Sequence, residues 1–188
     1  MAMAGVRAAQ PGFTLIELMS VMVIVVLVGA LSAPAFSRLL EASRIRTEAT
    51  RLMGDIVLTR SEAIKRNRQV VMCPAGLSAA GEVECGGVYA QGWIVFQDND
   101  RDGELSGGEE IVDRGQALAS DLLVTNRVAT RAADEKIKFQ PDGSSRRNLT
   151  LMVCSGGMPE ITSWSVVMNI VGRPRLARGW GRCQRAED

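Results

Sequence analysis

From Leu18 to Ser37 the chain runs for twenty residues without a charge. At about 1.5 Å of rise per helical residue, that length crosses the ~30 Å hydrocarbon core of a bilayer. An ordinary signal peptide has a shorter apolar core followed by small residues at a cleavage site. Here Gly12 precedes the apolar run and a lone carboxylate, Glu17, stands at its edge. A carboxylate in that position is costly to bury and needs a partner. Pro34 falls inside the run and is expected to kink or locally open the helix.

A helical pattern continues beyond the run. Leu39, Ile45, Ala49, Leu52, Met53, Ile56, Ala63 and Ile64 recur at spacings of three, four and seven, with Arg44, Glu48, Arg51 and Glu62 between them. The spacing predicts one helix from Phe13 to about Arg66, its second half packing an apolar stripe onto a globular domain. Glu48–Arg51 and Glu62–Arg66 are spaced for side-chain pairs on that helix.

After Asn67 the pattern changes to short apolar runs broken by glycine-rich turns. Segments 69–73, 92–97, 109–113, 122–126, 136–140, 149–154 and 163–172 alternate or are β-branched and read as strands. About 120 residues here suffice for a core, with the helix covering one sheet face. The expected architecture is α+β: a long N-terminal helix packed on antiparallel sheets.

Histidine is absent, which removes the commonest general base and metal ligand. No GxSxG, HExxH, Walker A or GxGxxG pattern occurs, so the sequence speaks against an enzyme. The four cysteines, Cys73, Cys85, Cys154 and Cys183, form no CxxC pair. An even count in an exported chain points to two disulfides. Pairing Cys73 with Cys85 and Cys154 with Cys183 closes two local loops, and the other two connectivities stay open.

Charge is unevenly spread although the total is only +1. Between Glu82 and Asp113 stand nine acids and one base. Within that span, Asp98, Asp100, Asp102, Gly103 and Glu109 fit the spacing of an EF-hand loop, with Ser106 at its ninth position. A strand rather than a helix precedes it, so two readings stand: a calcium site, or an acidic solvated turn. No other cofactor is indicated.

Between Arg146 and Arg185 stand seven arginines (146, 147, 173, 175, 178, 182 and 185) and one acid, Glu160. Such a patch suits phosphates, since the guanidinium fork grips two oxygens at once where lysine cannot; the alternative is a solvated surface. Pro174 biases Arg173 toward an extended conformation, in which Arg173 and Arg175 point the same way. Trp180 either stacks on a base or anchors the tail in the core.

The stretch "GFTLIELM" resembles a type IV prepilin very closely. The resemblance implies cleavage after Gly12 by a prepilin peptidase and methylation of Phe13 as the new first residue. It implies that Glu17 meets the N-terminal amine of a neighbouring subunit. "GWIVFQDNDRDG", "IKFQPDG" and "LTLMVC" followed by a late cysteine extend the likeness to the FimT/GspH-like minor pilins and pseudopilins. "GRPR", with Gly172, Arg173 and Arg175, is similar to the GRxR motif implicated in DNA binding by FimT-like proteins. Arg178, Arg182 and Arg185 join it on charge alone. The resemblance implies a leader over 1–12, a membrane and assembly helix over 13–37, its amphipathic continuation over 38–67 and a β-rich domain over 68–188. It implies an inner-membrane protein with a periplasmic domain, incorporated into a pilus. Its partners would be other pilin subunits, the prepilin peptidase, the membrane and double-stranded DNA, which a C-terminal arginine-rich loop would bind for uptake in natural transformation. A structural or priming minor pilin, or a GspH-like pseudopilin of type II secretion, is the alternative.

Overall fold

Helix α1 (Leu15–Arg66) begins where Thr14 caps it. The Glu17 amide donates to Thr14 Oγ1 at 3.3 Å, and the Leu18 amide donates to the Thr14 carbonyl at 3.2 Å. "TLIE" has the capping-box spacing, which is why the helix starts at Leu15 rather than Phe13. The computed structural model describes residues 12–77 and 81–183, so leader residues 1–11 lie outside them. The chain divides into two compact units, 1–39 and 40–188.

In the first unit α1 runs unbroken through Pro34. Proline lacks the amide that would meet the Ala30 carbonyl, yet the helix continues past it without a break. The side chains from Leu15 to Leu31 are exposed, as is Phe36. This is the helix, among the described residues, long and apolar enough to cross a membrane.

In the second unit α1 buries Ile45, Ala49, Leu52, Ile56, Thr59 and Ala63, at alternating steps of four and three. Leu39 and Ile64, read from the sequence as part of this stripe, are 65% and 49% exposed. Thr59 takes a buried place because its hydroxyl donates to the Asp55 carbonyl at 2.6 Å, which satisfies the polar group within the helix. The spaced pairs form: Arg51 meets Glu48 at 2.8 Å, and Arg66 meets Glu62 at 2.7 Å.

Nine strands follow among the described residues: β1 (Gln69–Leu77), β2 (Val83–Cys85), β3 (Trp93–Asp98), β4 (Ile111–Gly115), β5 (Leu122–Thr125), β6 (Ile137–Phe139), β7 (Leu149–Ser155), β8 (Trp164–Met168) and β9 (Pro174–Arg178). One antiparallel sheet is ordered β2-β1-β3-β4, with β6 also on β1; the other is ordered β5-β7-β8-β9. Every strand pairing is antiparallel. The first sheet is buried on both faces. Val70, Met72, Trp93 and Val95 join the core shared with α1 and the second sheet, while Val71, Cys73, Ile94 and Phe96 face a smaller cluster edged by Cys85, Leu105 and Ile111. That two-sided burial explains the unbroken apolar runs "VVMC" and "WIVF".

Two departures from the sequence reading matter for function. The expected strand 163–172 ends at Met168, because Asn169 to Gly172 form a turn closed by the Gly172 amide on the Asn169 carbonyl at 2.9 Å. The arginine-rich segment is then not a loop but begins with an edge strand, β9, paired among the described residues to β8 alone. Proline is tolerated as the first residue of such a strand. Cys73 is bonded to Cys85, and Cys154 to Cys183.

Candidate functional site

The turn that opens β9 sits against the turn after β6. Gly172 is buried with φ +77°. A Cβ there would collide with the Gly143 carbonyl oxygen and stand 2.9 Å from Phe139 Cε1. Gly172 therefore lets two turns approach each other and sets where Arg173 and Arg175 emerge. Asn169 supports the same turn, its Oδ1 accepting the Arg173 amide at 3.2 Å.

Arg173 and Arg175 both line a cleft of about 460 Å³. The Asn126–Arg131 turn forms another wall. Asn126 Oδ1 accepts the Thr130 amide at 3.0 Å, and Asn126 Nδ2 donates to Thr130 Oγ1 at 2.9 Å. This turn presents Arg127 and Arg131 to the cleft. The tail after β9 supplies Trp180, whose ring lies 4.9 Å from the Arg127 guanidinium carbon and 5.0 Å from that of Arg175. Trp180 is 38% exposed, so it belongs to this surface and does not anchor the tail in the core. Cys183, bonded to the buried Cys154 on β7, ties the tail down three residues later.

The cleft is cationic but not uniformly so. Glu135 lines it and is held by Arg131 at 2.6 Å and Arg147 at 3.1 Å; Arg131 also meets Asp134 at 2.7 Å. Arg127, Arg173 and Arg175 have no carboxylate partner among the described residues. Arg178 and Arg182 are exposed but do not line the cleft. In the strand register Arg178 lies opposite Trp164, and Arg185 lies outside the described residues. Arg146 and Arg147 line a second basic groove with Lys136 and Lys138. The sequence reading missed Arg127, which stands in an unremarkable turn, 46 residues ahead of Arg173.

The acidic loop is arranged otherwise. Oxygens of Asp98, Asp100 and Asp102 lie within 4.8 Å of one another, and Glu109 is not in that group. Each carboxylate is engaged by an amide of its own loop. Asp98 accepts from Arg101, Asp102 from Glu104 (both 2.6 Å), and Asp100 from Asp102 (3.2 Å). Glu109 accepts from Asn99 at 2.7 Å and Ser106 at 3.1 Å. Asp98 is almost fully buried; burial pushes its carboxyl above the usual range, while a 2.6 Å bond from Gln69 Nε2 opposes that shift. Lys138 Nζ donates to the Asp102 carbonyl at 2.9 Å and sits against Gly103. Three carboxylates converge here, where calcium would draw its six to eight oxygens from carboxylates, carbonyls and waters, and the Lys138 ammonium sits at the same turn. The loop's ion pairs run to Lys136, from Glu104, and to Arg66, from Glu110, not to the C-terminal arginines.

At the other end of the chain, Gly12, Phe13 and Glu17 are exposed.

The family Type II transport protein GspH matches residues 48–172, and the prokaryotic N-terminal methylation motif matches residues 7–33. No significant match to the sequence was found among curated proteins. The fold is similar to the type IV minor pilin FimU of Pseudomonas aeruginosa strain PAO1. One FimU structure aligns with a TM-score of 0.56 at 16% identity, over 78% of this chain and 98% of FimU. A second aligns at 0.51 and 16%, over 76% and 99%. The minor pseudopilin EpsH from the type 2 secretion system of Vibrio cholerae aligns at 0.49 and 15%, over 72% and 97%. At these identities the likeness is one of fold.

Proposed function

The chain belongs to the GspH family of type II transport proteins, and from that premise we propose that it is a minor pilin of a type IV pilus that binds double-stranded DNA for uptake in natural transformation. The coarser role is that of the family: a membrane-anchored pilin or pseudopilin, a structural component that assembles with other pilin subunits after processing of its N-terminus. In the finer reading, the prepilin peptidase cuts after Gly12, Phe13 becomes the methylated first residue, and Glu17 meets the N-terminal amine of a neighbour. An ion pair of that kind lowers the cost of each charge in apolar surroundings.

One observation carries the DNA reading. Arginines from the β8–β9 turn and from β9 converge on an open cleft with no carboxylate partner among the described residues. Guanidiniums left unpaired at a surface suit phosphate oxygens. Binding through them is sequence-independent and weakens steeply with salt, because it releases condensed counterions. Among the described residues of the second unit, the one long helix turns its apolar stripe to the sheets rather than standing clear for the major groove.

The test is a titration of the full chain, in nonionic detergent, with a short DNA duplex across a salt series. Arg173→Ala/Arg175→Ala is expected to weaken binding by at least about tenfold and to lower the log–log salt slope by about two. No binding by either protein at low salt defeats the proposal. The cleft then becomes a contact for an acidic neighbouring subunit, as a pseudopilin would use it.

A further inference from the structure

Two of the cleft's arginines come from distant parts of the chain and share one ring. Arg127 leaves the turn after β5, Arg175 sits on β9, and both guanidiniums lie about 5 Å from the centroid of Trp180. They are therefore no more than about 10 Å apart. Two like charges so close repel each other, and neither forms an ion pair with a carboxylate among the described residues, the cleft's Glu135 being held by Arg131 and Arg147. The indole ring attracts each cation through its quadrupole, which holds the side chains in place while leaving their charge unneutralised. Arg131, four residues from Arg127, shows the other outcome: it is paired with Asp134 and Glu135. The backbone around the ring is equally constrained. The Arg127 carbonyl packs so tightly on Gly181 that a Cβ there would collide with it, and the bonded Cys183 follows two residues on.

We propose that Arg127 is a third phosphate ligand of this cleft, beside Arg173 and Arg175. Trp180 is the positioning residue that sets Arg127 and Arg175 for neighbouring phosphates of one strand. This rests on the DNA-binding reading and extends it to two residues outside the GRPR segment. A bound backbone supplies the negative charge that the three guanidiniums lack. The ring fixes their geometry beforehand, so less side-chain entropy is lost on binding.

The test measures duplex DNA affinity and its salt dependence for the full chain in nonionic detergent, with Arg173→Ala/Arg175→Ala as reference. Arg127→Ala is expected to weaken binding by about fivefold and to lower the salt slope by about one. Trp180→Ala is expected to weaken it at least as much and to lower the slope, although all three arginines remain. Trp180→Phe, which keeps a ring, restores most of the loss. Arg127 is exposed, so its truncation leaves the fold intact and stays decisive even if Trp180→Ala loosens the tail. Wild-type binding by Arg127→Ala and Trp180→Ala, with loss in the reference variant, overturns this inference and leaves the DNA reading standing. If the wild-type chain does not bind, both fall together.

Discussion

The acidic loop after β3 and the arginine cleft beside β9 carry opposite charge and opposite economy of hydrogen bonding. In the loop, Asp98, Asp100, Asp102 and Glu109 all accept amides of their own turn. In the cleft, Arg127, Arg173 and Arg175 meet a ring, an open space and no carboxylate among the described residues. A cluster of charge marks a ligand site only when the fold has left the charges unengaged. By that measure the loop's acids hold the chain in shape, and the cleft's bases are free to hold something else.

The sharpest way to strain this comparison is at the cleft's framework. Gly172→Ala places a Cβ against the Gly143 carbonyl and Phe139 at a positive φ. It is expected to cost about 3 kcal/mol, read from denaturant unfolding. An unaltered midpoint would show that the two turns are not locked together.

A smaller effect is expected where the loop's far end meets α1. Arg66 bonds Glu62 at 2.7 Å and Glu110 at 2.7 Å, and holds both carboxyls below the usual range, through hydrogen bonds first. The unfolded chain then takes up protons at a higher pH than the folded one, so this contribution is complete above the ordinary carboxylate range. It is lost as pH falls through the lowered values. Arg66→Gln should lower Tm by about 2–4 °C at pH 7, with the difference closing as pH falls through the lowered carboxyl range. A gap that persists in acid would mean that Arg66 acts through packing instead.

The smallest effect is expected from calcium. With its carboxylates on its own amides and Lys138 at the turn, the loop should gain less than about 1 °C in Tm from millimolar calcium. A rise of several degrees, abolished by Asp100→Asn, would show that Glu109 leaves its amides to complete a metal site, and would overturn the contrast.

The sequence made the helix legible because its signals are long and redundant: an uncharged run of membrane length, then a stripe repeated over six buried positions. Most strands were legible for the related reason that a two-sided core leaves apolar runs. What escaped was short or unusual. Strand β2 has only three residues, too few for its alternation to stand out, and β9 begins with proline and carries two exposed arginines. Each is defined by the strand it pairs with, which no local pattern records. The cleft was half visible. Arg173 and Arg175 announce themselves by spacing, but Arg127 joins them through a turn built by Asn126, and only the fold brings that turn to Trp180. Charge counting also added Arg178 and Arg182, which are exposed but do not line the cleft.

The Cys154–Cys183 bond acquires a mechanical meaning in this setting. Strand β9 is an edge strand, fastened laterally only to β8, and a tension applied at Arg175 would tend to peel it. The bridge closes a covalent ring, with 29 residues of sequence separation, that contains β8, β9, Trp180 and two of the cleft arginines. Load entering at the cleft can therefore pass from the tail into β7, an interior strand of the sheet, through sulfur rather than through a ladder of hydrogen bonds alone. A subunit built this way resists being unzipped by whatever it holds.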